Sequence, residues 1–146
     1  DAYVPDTYIS TSEDRMIAYK RISTVDSVEA VEKLEAELEQ TYGKIPPQTK
    51  SLISIALVRQ LAAKLKATEV RSYGNEVQLV FENAKDITSS HVIGESIYKF
   101  RMNCSLDLSK EPMIKFSKLP LCKDNFEQLK QFLLVAKKYI DENITK

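Results

Sequence analysis

The side chains with the most reactive chemistry in this chain are one histidine and two cysteines, His91, Cys104 and Cys122. An imidazole titrates near neutral pH without any special environment, which makes His91 the first candidate for catalysis. Two serines precede His91 and Val92 follows it, a context typical of the first turn of a helix. No serine or cysteine has a nucleophile signature around it, which disfavours a hydrolase that uses His91. Such a hydrolase would have an activity that His91→Ala abolishes.

The spacing of the soft ligands disfavours a metal site. Cys104 and Cys122 are 18 residues apart, form no C-x-x-C pair, and have only His91 to join them. Structural zinc sites need four clustered ligands. We therefore expect two reduced and largely buried thiols, no metal and no cofactor.

Glycine content and net charge argue against nucleotide-binding proteins and against general nucleic-acid or membrane binders. The chain has three glycines and no G-x-x-x-x-G-K-[ST] loop, so no phosphate-cradling motif for a nucleotide is present. With 21 basic and 21 acidic residues its formal charge is zero, which removes the long-range attraction of a general nucleic-acid or anionic-membrane binder. No apolar run approaches the ~20 residues that cross a bilayer. We expect a soluble, cytoplasmic protein with no membrane partner and, because it opens with Asp1, a fragment of a longer chain.

The basic side chains are scattered over four predicted elements and balanced by acids. They fail the single-face criterion for nucleic-acid binding. An accessory DNA-binding domain, whose basic residues converge only after folding, therefore stays the alternative function. The residues are Lys20, Arg21, Arg59, Lys64, Lys66, Arg71, Lys137 and Lys138.

The second predicted helix, from Asp26 or Ser27 to Gly43, carries the most distinctive carboxylates. Its apolar stripe runs through Val31, Leu34, Leu38 and Tyr42 at steps of three or four. At 3.6 residues per turn, Glu37 and Gln40 are predicted on the far side of that stripe, where a partner can reach them. Three further glutamates are predicted nearer the edge of the stripe, with stems that cover apolar surface; they are Glu32, Glu35 and Glu39.

The first half of the chain reads as an arm followed by three helices. Residues 1–9 are predicted as an extended arm whose tyrosines, Tyr3 and Tyr8, dock on the body. Ser10 and Glu13 have capping-box spacing for a helix over about 11–23 with an apolar face. A helix from Asp26 or Ser27 to Gly43 follows, and then the central helix, from Pro47 to about Leu65. The apolar face of the first helix is predicted as Met16, Ile17, Tyr19 and Ile22.

The second half changes to a period of two. Thr68–Tyr73 and Glu76–Phe81 flank Gly74-Asn75 and predict a hairpin with Val77, Leu79 and Phe81 on one face. A helix over 88–100 precedes a strand whose inward residues alternate from Met102 to Leu108. A partner strand directs Ile114 and Phe116 inward, and a helix over about 124–142 closes the chain. Its predicted inward residues are Phe126, Leu129, Phe132, Leu133, Ala136 and Ile140.

Helices first and hairpins second predict an α+β fold: a three-helix segment, then two hairpins in an antiparallel sheet with an intervening helix and a C-terminal helix. We expect a single domain over 1–146. Its parts are an arm at 1–9, a helical half at 10–66 and a hairpin and helix half at 67–146.

Four ordered motifs carry a family resemblance: Asp1-Ala2-Tyr3-Val4-Pro5-x-x-Tyr8-Ile9, Arg15-x-x-x-Tyr19-Lys20-Arg21-Ile22, Glu37-Leu38-x-x-x-Tyr42-Gly43-x-x-Pro46 and Leu57-x-Arg59-x-Leu61-Ala62-x-x-Leu65. Together they resemble the C-terminal domain of the bacterial transcription-repair coupling factors, the Mfd family. The match is strongest over the first 65 residues.

The resemblance implies a regulatory role without catalysis of its own. Members of that family are ATP-driven DNA translocases that displace stalled RNA polymerase from damaged DNA and recruit the repair protein UvrA. Their motor lies outside this domain. The C-terminal domain packs on the N-terminal UvrB-like module of the same polypeptide, competes with UvrA for its binding surface and restrains the motor. RNA polymerase and DNA are thus partners of the parent protein.

The resemblance also implies an interdomain interface on the second helix. In the family, a glutamate and an aspartate three residues later pair with arginines of the UvrB-like module. Glu37 matches the glutamate, whereas Gln40 stands at the aspartate position and Thr41 at the position of a neighbouring arginine. The glycine that follows the family's third helix is Lys66 here, so we expect a different C-cap.

Overall fold

The computed structural model of the chain describes residues 2–73, 76–99, 104–117 and 127–144. The chain separates into two compact units, Asp1–Gln60 and Leu61–Lys146. Helices and strands follow in the mixed order predicted for an α+β fold. They are α1 (Ser12–Ser23), α2 (Val28–Tyr42), α3 (Pro47–Lys64), β1 (Ala67–Tyr73), β2 (Glu76–Phe81), α4 (Ala84–Thr88), α5 (His91–Lys99), β3 (Cys104–Asp107), β4 (Met113–Ser117) and α6 (Glu127–Ile144). None of the helices in these ranges is long and apolar enough to cross a membrane.

The N-terminal arm of the first unit is held by its backbone as much as by its side chains. Val4 and Ile9 are buried, and the Val4 amide donates to the Tyr19 hydroxyl at 2.9 Å. The Arg15 guanidinium donates to the carbonyl oxygens of Ile9 and Ser10 at 2.8 and 3.0 Å. Two residues of the second family motif, Arg15 and Tyr19, therefore fasten the arm.

Only one of the two arm tyrosines docks as predicted. Tyr8 is half-buried, whereas the side chain of Tyr3 is 45% exposed. The Tyr3 backbone is nevertheless bonded, since its amide donates to the Gln48 carbonyl and its carbonyl accepts from the Thr49 hydroxyl at 3.1 Å. These contacts fix the arm without requiring the Tyr3 ring to be buried.

The cap and the apolar face of α1 differ from the prediction. Thr11 rather than Ser10 is the N-cap, because its hydroxyl accepts the Asp14 amide at 3.2 Å. Ala18 and Ile22, four residues apart, are the buried positions. Met16, Ile17 and Tyr19 were predicted on the inner face and are 61%, 58% and 39% exposed. A single buried pair suffices to seat this short helix, which leaves the other apolar residues at the surface.

The second unit contains a four-stranded antiparallel sheet in the order β1-β2-β4-β3. The predicted inward residues Val77, Leu79 and Phe81 are buried, as are Ile114 and Phe116 on β4. The ring of Phe116 meets that of Phe132 on α6 edge-on, with centroids 5.0 Å apart. The predicted turn at Gly74-Asn75 lies outside the described residues.

The strand predicted from Met102 to Leu108 ends one residue earlier, at Asp107, and its described residues are less buried than the alternation indicated. β3 covers Cys104–Asp107 at the edge of the sheet, and Leu106 and Leu108 are 44% and 41% exposed. An edge strand has a neighbour on one side only, so period-two hydrophobicity does not guarantee burial. Met102 lies outside the described residues.

The helix predicted over 88–100 is α5, which begins at His91, and the short helix α4 before it was not predicted. Ile93 is buried as expected, whereas Ser96 rather than Ile97 is the second fully buried position. The Ser96 hydroxyl donates to the Val92 carbonyl at 2.8 Å, which satisfies it in the core. On α6 the predicted core positions Phe132, Leu133 and Ala136 are buried. Phe100, Phe126 and the side chains of Leu129 and Ile140 lie outside what the structure describes.

The C-terminal end of α3, where a C-cap different from that of the family was predicted, is formed around Lys66. Lys66 adopts the left-handed conformation with φ of 69°, which is the conformation that a glycine supplies without strain. The Leu65 and Lys66 amides donate to the carbonyls of Ala62 and Ala63, both at 3.0 Å. The lysine therefore occupies a glycine conformation, and its β carbon makes that conformation costly.

Replacing Lys66 by glycine is expected to stabilise the chain. Relief of the left-handed strain outweighs the greater backbone entropy of glycine, for a net gain of about 0.5–1 kcal/mol in the free energy of unfolding. Urea denaturation measures this difference. Lys66→Ala removes the same charge but keeps the β carbon and is expected to gain nothing. A gain in Lys66→Ala equal to that in Lys66→Gly would contradict the strain argument.

Candidate docking surface on the second helix

The rotation of α2 is fixed by two buried leucines and by caps at both ends. Leu34 and Leu38 are each 4% exposed. At the N-terminus the Ser27 hydroxyl accepts the Ala30 amide at 3.0 Å, as its sequence position predicted. At the C-terminus Gly43 adopts φ of 88°, and its amide donates to the Glu39 carbonyl at 2.9 Å. The side chains that α2 presents on its outward face are therefore fixed by the burial of the leucines and by the two caps.

Tyr8 holds the C-terminal end of α2. Its hydroxyl donates to the Gly43 carbonyl oxygen at 2.9 Å, with the Leu38 carbonyl oxygen at 3.3 Å as a second acceptor. Its ring lies against that of Tyr42, with centroids 5.7 Å apart. Burial, reinforced by the nearby charge of Glu39, raises the pKa of Tyr8. The arm thus supplies a donor to the Gly43 carbonyl, which has no donor within the helix.

Glu37 lies against α1 rather than on the far side of its helix. Its Oε2 accepts a hydrogen bond from Arg21 Nη2 and forms an ion pair with it. The Glu37 side chain is 40% exposed and that of Arg21 47%. Glu37 follows Leu34 by three residues, which places it about 60° from that buried position around the helix. It therefore flanks the core, where both α1 and solvent reach its carboxylate.

The exposure of the other polar residues of α2 agrees with the prediction only in part. Gln40 is exposed, as the periodicity indicated. Glu32 and Glu39 were predicted to cover apolar surface but are exposed as well, and only Glu35 is half-buried. The buried stripe is narrow, so the edge positions point to solvent. Glu37 and Gln40 remain on adjoining parts of the surface, because residues three apart are neighbours on a helix.

Arg21 is the site residue that reasoning on single helices missed. It lies 16 residues before Glu37, in the last turn of α1. The signal for the contact was the short connector between Ser23 and Val28, in which Val25 is buried. Two helices joined by so few residues pack side by side, which brings the end of the first near the second. Considered within its own helix, Arg21 was only one of several basic residues.

The structure describes two of the candidates for catalysis or metal binding, His91 and Cys104. His91 is 83% exposed, and its Nε2 lies 3.9 Å from Glu95 Oε1 on the same helix. Cys104 is half-buried, and burial raises the pKa of its thiol. Cys122 lies outside the described residues. Within the described ranges, no group of three or more histidine, cysteine, aspartate or glutamate residues is placed to hold a metal ion.

Two of the basic residues named from the sequence, Arg21 and Arg71, are paired with acidic neighbours. Besides Arg21, the Arg71 guanidinium lies 2.9 Å from Glu69 and 2.5 Å from Glu111. Its hydrogen bonds lower the pKa of both carboxyl groups. Pairing of this kind reduces the potential available to attract a polyanion over a wide surface.

Comparison with known proteins gives a family match over the first 92 residues. The sequence model of the TRCF domain matches residues 1–92. The transcription-repair-coupling factor of Escherichia coli is 33% identical over 82 residues, which cover 56% of this chain and 7% of the relative. That of Rickettsia prowazekii is 25% identical over 142 residues, covering 97% of this chain and 11% of the relative. The chain thus spans only a small fraction of the length of the curated relatives it matches.

The fold of the whole chain also has a counterpart of known structure. The crystal structure of the C-terminal domain of a transcription-repair coupling factor aligns with a TM-score of 0.77 and 25% sequence identity. The alignment covers 100% of this chain and 91% of that structure. The similarity therefore extends beyond the residues matched by the family sequence model.

Removing the Tyr8 hydroxyl is expected to loosen the end of α2. Tyr8→Phe keeps the ring but loses the hydrogen bond to the Gly43 carbonyl, at a cost of about 1 kcal/mol in the free energy of unfolding. Tyr3→Phe is the matched control, because the hydroxyl of the exposed Tyr3 side chain forms no hydrogen bond with the residues that the structure describes. Chemical denaturation of the three proteins measures both effects.

The stability difference between the natural protein and Tyr8→Phe is expected to depend on pH in alkaline solution. Because the folded-state pKa of Tyr8 is raised, its contribution is complete below the ordinary value of 10.0 and is lost as the pH rises through the folded-state value. The advantage of the natural protein over Tyr8→Phe should therefore shrink above pH 10.0. An advantage that is constant across this range would show that Tyr8 does not stabilise through its protonated hydroxyl.

Proposed function

The chain belongs to the TRCF domain family, and we propose that it is the C-terminal regulatory domain of a DNA translocase that displaces stalled RNA polymerase and recruits excision repair. The observation that carries this proposal is the agreement of the family match over residues 1–92 with a structural match over the entire chain. In this proposal the domain has no catalytic role, and the ATP-driven motor belongs to the rest of the polypeptide.

The proposed mechanism is reversible masking. The domain packs through α2 on the N-terminal UvrB-like module of its own polypeptide, which hides the surface that UvrA would bind and restrains the motor. Glu37 and Gln40 form the contact surface in this proposal. The accessible carboxylate of Glu37 and the exposed Gln40 amide support it, since both can reach a partner without any change in the core of the first unit.

Because Glu37 is already paired with Arg21, the proposed contact with the module requires Glu37 to exchange one arginine partner for another. An arginine of the UvrB-like module would share or replace Arg21 as the partner of Glu37. Pairs between partly exposed charges are worth about 0.2–1 kcal/mol, so replacing one such pair by another has a small net cost. A latch built from contacts of this size biases the closed state and still opens when polymerase or UvrA binds.

The alternative of an accessory DNA-binding domain has less support from the geometry. Arg21, Arg71 and Lys115 are each paired with a carboxylate, the last with Asp107 at 3.2 Å. A broad DNA-binding face needs unneutralised basic residues along one surface. Steeply salt-dependent binding of DNA by the isolated chain, with a slope reporting many phosphate contacts, would favour the alternative.

Glu37→Arg is expected to weaken binding of this chain to the isolated UvrB-like module of its parent. The substitution replaces the proposed attraction to a module arginine by repulsion, for which we expect a roughly tenfold rise in Kd. Glu32→Arg is the matched control: it makes the same charge change on the same helix, at an exposed position about 140° away around the axis. Calorimetric titration measures all three affinities. Equal effects of the two substitutions would remove Glu37 from the interface.

Two further variants act in the opposite direction. Arg21→Gln releases Glu37 from its internal partner and is expected to tighten binding to the module several-fold. Gln40→Asp supplies the charge that the family has at this position and should also tighten binding. Weaker binding by both variants would contradict exchange at this surface.

Autoinhibition is tested on the parent protein. We expect its basal ATPase rate to rise when residues 1–146 are deleted, because the restraint on the motor is removed, and Glu37→Arg in the full-length protein should raise the rate in the same direction. An unchanged rate in both proteins would contradict restraint of the motor while leaving the binding assay to decide on the interface.

A further inference from the structure

A cavity of about 450 Å³ lies within the second unit, where α3 ends and α4 meets α5. Its volume falls within the ordinary range for small-ligand sites. Of the motifs that carry the family resemblance, only the fourth reaches the cavity, at Leu65. The residues that line it are Lys64, Leu65, Lys66, Lys85, Asp86, Ser89, Ser90 and Val92.

The charge around this cavity is predominantly positive. Three lysines line it against a single carboxylate, the half-buried Asp86. Lys64 has another interaction in the structure, which leaves Lys66 and Lys85 as the lysines that would bind a ligand. Both are exposed, and neither forms an ion pair with another described residue. Two lysines from separate parts of the chain, one after α3 and one in α4, therefore line one concavity, in contrast to the paired Arg21 and Arg71 elsewhere in the chain.

The cavity also offers hydroxyl donors. The Ser90 hydroxyl accepts the Ile93 amide at 3.2 Å and keeps its own proton for a ligand, and Ser89 lines the wall beside it. The backbone amides of Ser89 and Ser90 donate to the carbonyls of Lys85 and Ile87 and are therefore already used. A ligand would thus be bound by side chains, with ammonium and hydroxyl groups that suit the several acceptor oxygens of one anion.

Lys66 places its charge here at a cost to the backbone. Its left-handed conformation is one that glycine would adopt without strain. Lysine at this position does not favour folding. It does supply a positively charged side chain at the wall of the cavity, where an anion would bind. The same residue thus connects the strained end of α3 with the positive concavity.

We infer that this cavity binds a phosphate group, as a phosphate monoester or a phosphodiester. Lys66 and Lys85 neutralise the anion, and the hydroxyls of Ser89 and Ser90 donate to its oxygens. Because one phosphate rather than a long backbone is bound, the site is compatible with the zero net charge of the chain. The inference does not depend on the proposed regulatory function.

Inorganic phosphate is the first probe, titrated into the isotopically labelled 146-residue chain at constant ionic strength with chloride as the reference anion. We expect saturable chemical-shift changes in the amides of Lys66, Lys85, Ser89 and Ser90. Lys66→Gln/Lys85→Gln should weaken phosphate binding at least about tenfold. The matched control is Lys99→Gln/Lys110→Gln, which removes two exposed lysines elsewhere in the same unit and should leave the affinity unchanged.

Lys66→Gly separates a ligand role from a structural one. This variant is expected to be more stable than the natural protein and yet to bind phosphate more weakly. Unchanged phosphate affinity in the stabilised variant would overturn the role of Lys66. The absence of saturable shifts at the cavity, or equal loss of affinity in the two double variants, would overturn the site.

A short DNA duplex then identifies the source of the phosphate. If the duplex shifts the same amides and competes with inorganic phosphate, the ligand is a nucleic-acid backbone, and each lysine replaced should lower the salt slope by about one. If inorganic phosphate binds and the duplex does not compete, the site takes a free phosphate or a small phosphate ester. Both results support a phosphate site and differ only in what carries the phosphate.

Discussion

The burial of Leu34 and Leu38 determines which way every other side chain of α2 points. Since both leucines are buried and both helix ends are capped, the helix cannot rotate without exposing apolar surface and breaking the contacts at Ser27 and Gly43. Burying a leucine is worth roughly 1.5–3 kcal/mol. That is more than any single ion pair on the outer face contributes. The hydrophobic side therefore sets the geometry, and the polar side can exchange partners without altering it.

The N-terminal arm extends this constraint to the end of the helix. Tyr8 bonds the carbonyl groups around Gly43, while Arg15 and Tyr19 of α1 bond the backbone of the arm itself. Three of the four motifs that carry the family resemblance thus meet in one set of contacts around α1 and α2. Together these motifs hold the helix that presents Glu37.

Strong periodicity made α2, α3 and the inward face of β2 predictable from the sequence. Prediction failed where a few contacts decide the outcome. In α1 the buried positions are Ala18 and Ile22, so larger apolar residues stay exposed, and in β3 the edge location leaves Leu106 exposed despite regular alternation. Lys66 shows a different limit, because propensity argues against a left-handed lysine and only the tertiary structure reveals it. The surroundings of Glu37 were only partly predictable: its access to solvent was predicted, but its contact with α1 was not, because its partner Arg21 belongs to another helix.

The central claim is that Glu37 contributes to a reversible interface with the UvrB-like module of the parent protein. The most direct measurement is a double-mutant cycle that combines Glu37→Gln in this chain with alanine substitution of each surface arginine of that module. The account predicts a coupling energy of about 1 kcal/mol with at least one arginine, and a larger coupling when Arg21→Gln removes the internal competitor. Coupling energies indistinguishable from zero with every arginine, in complexes that still form, would contradict it.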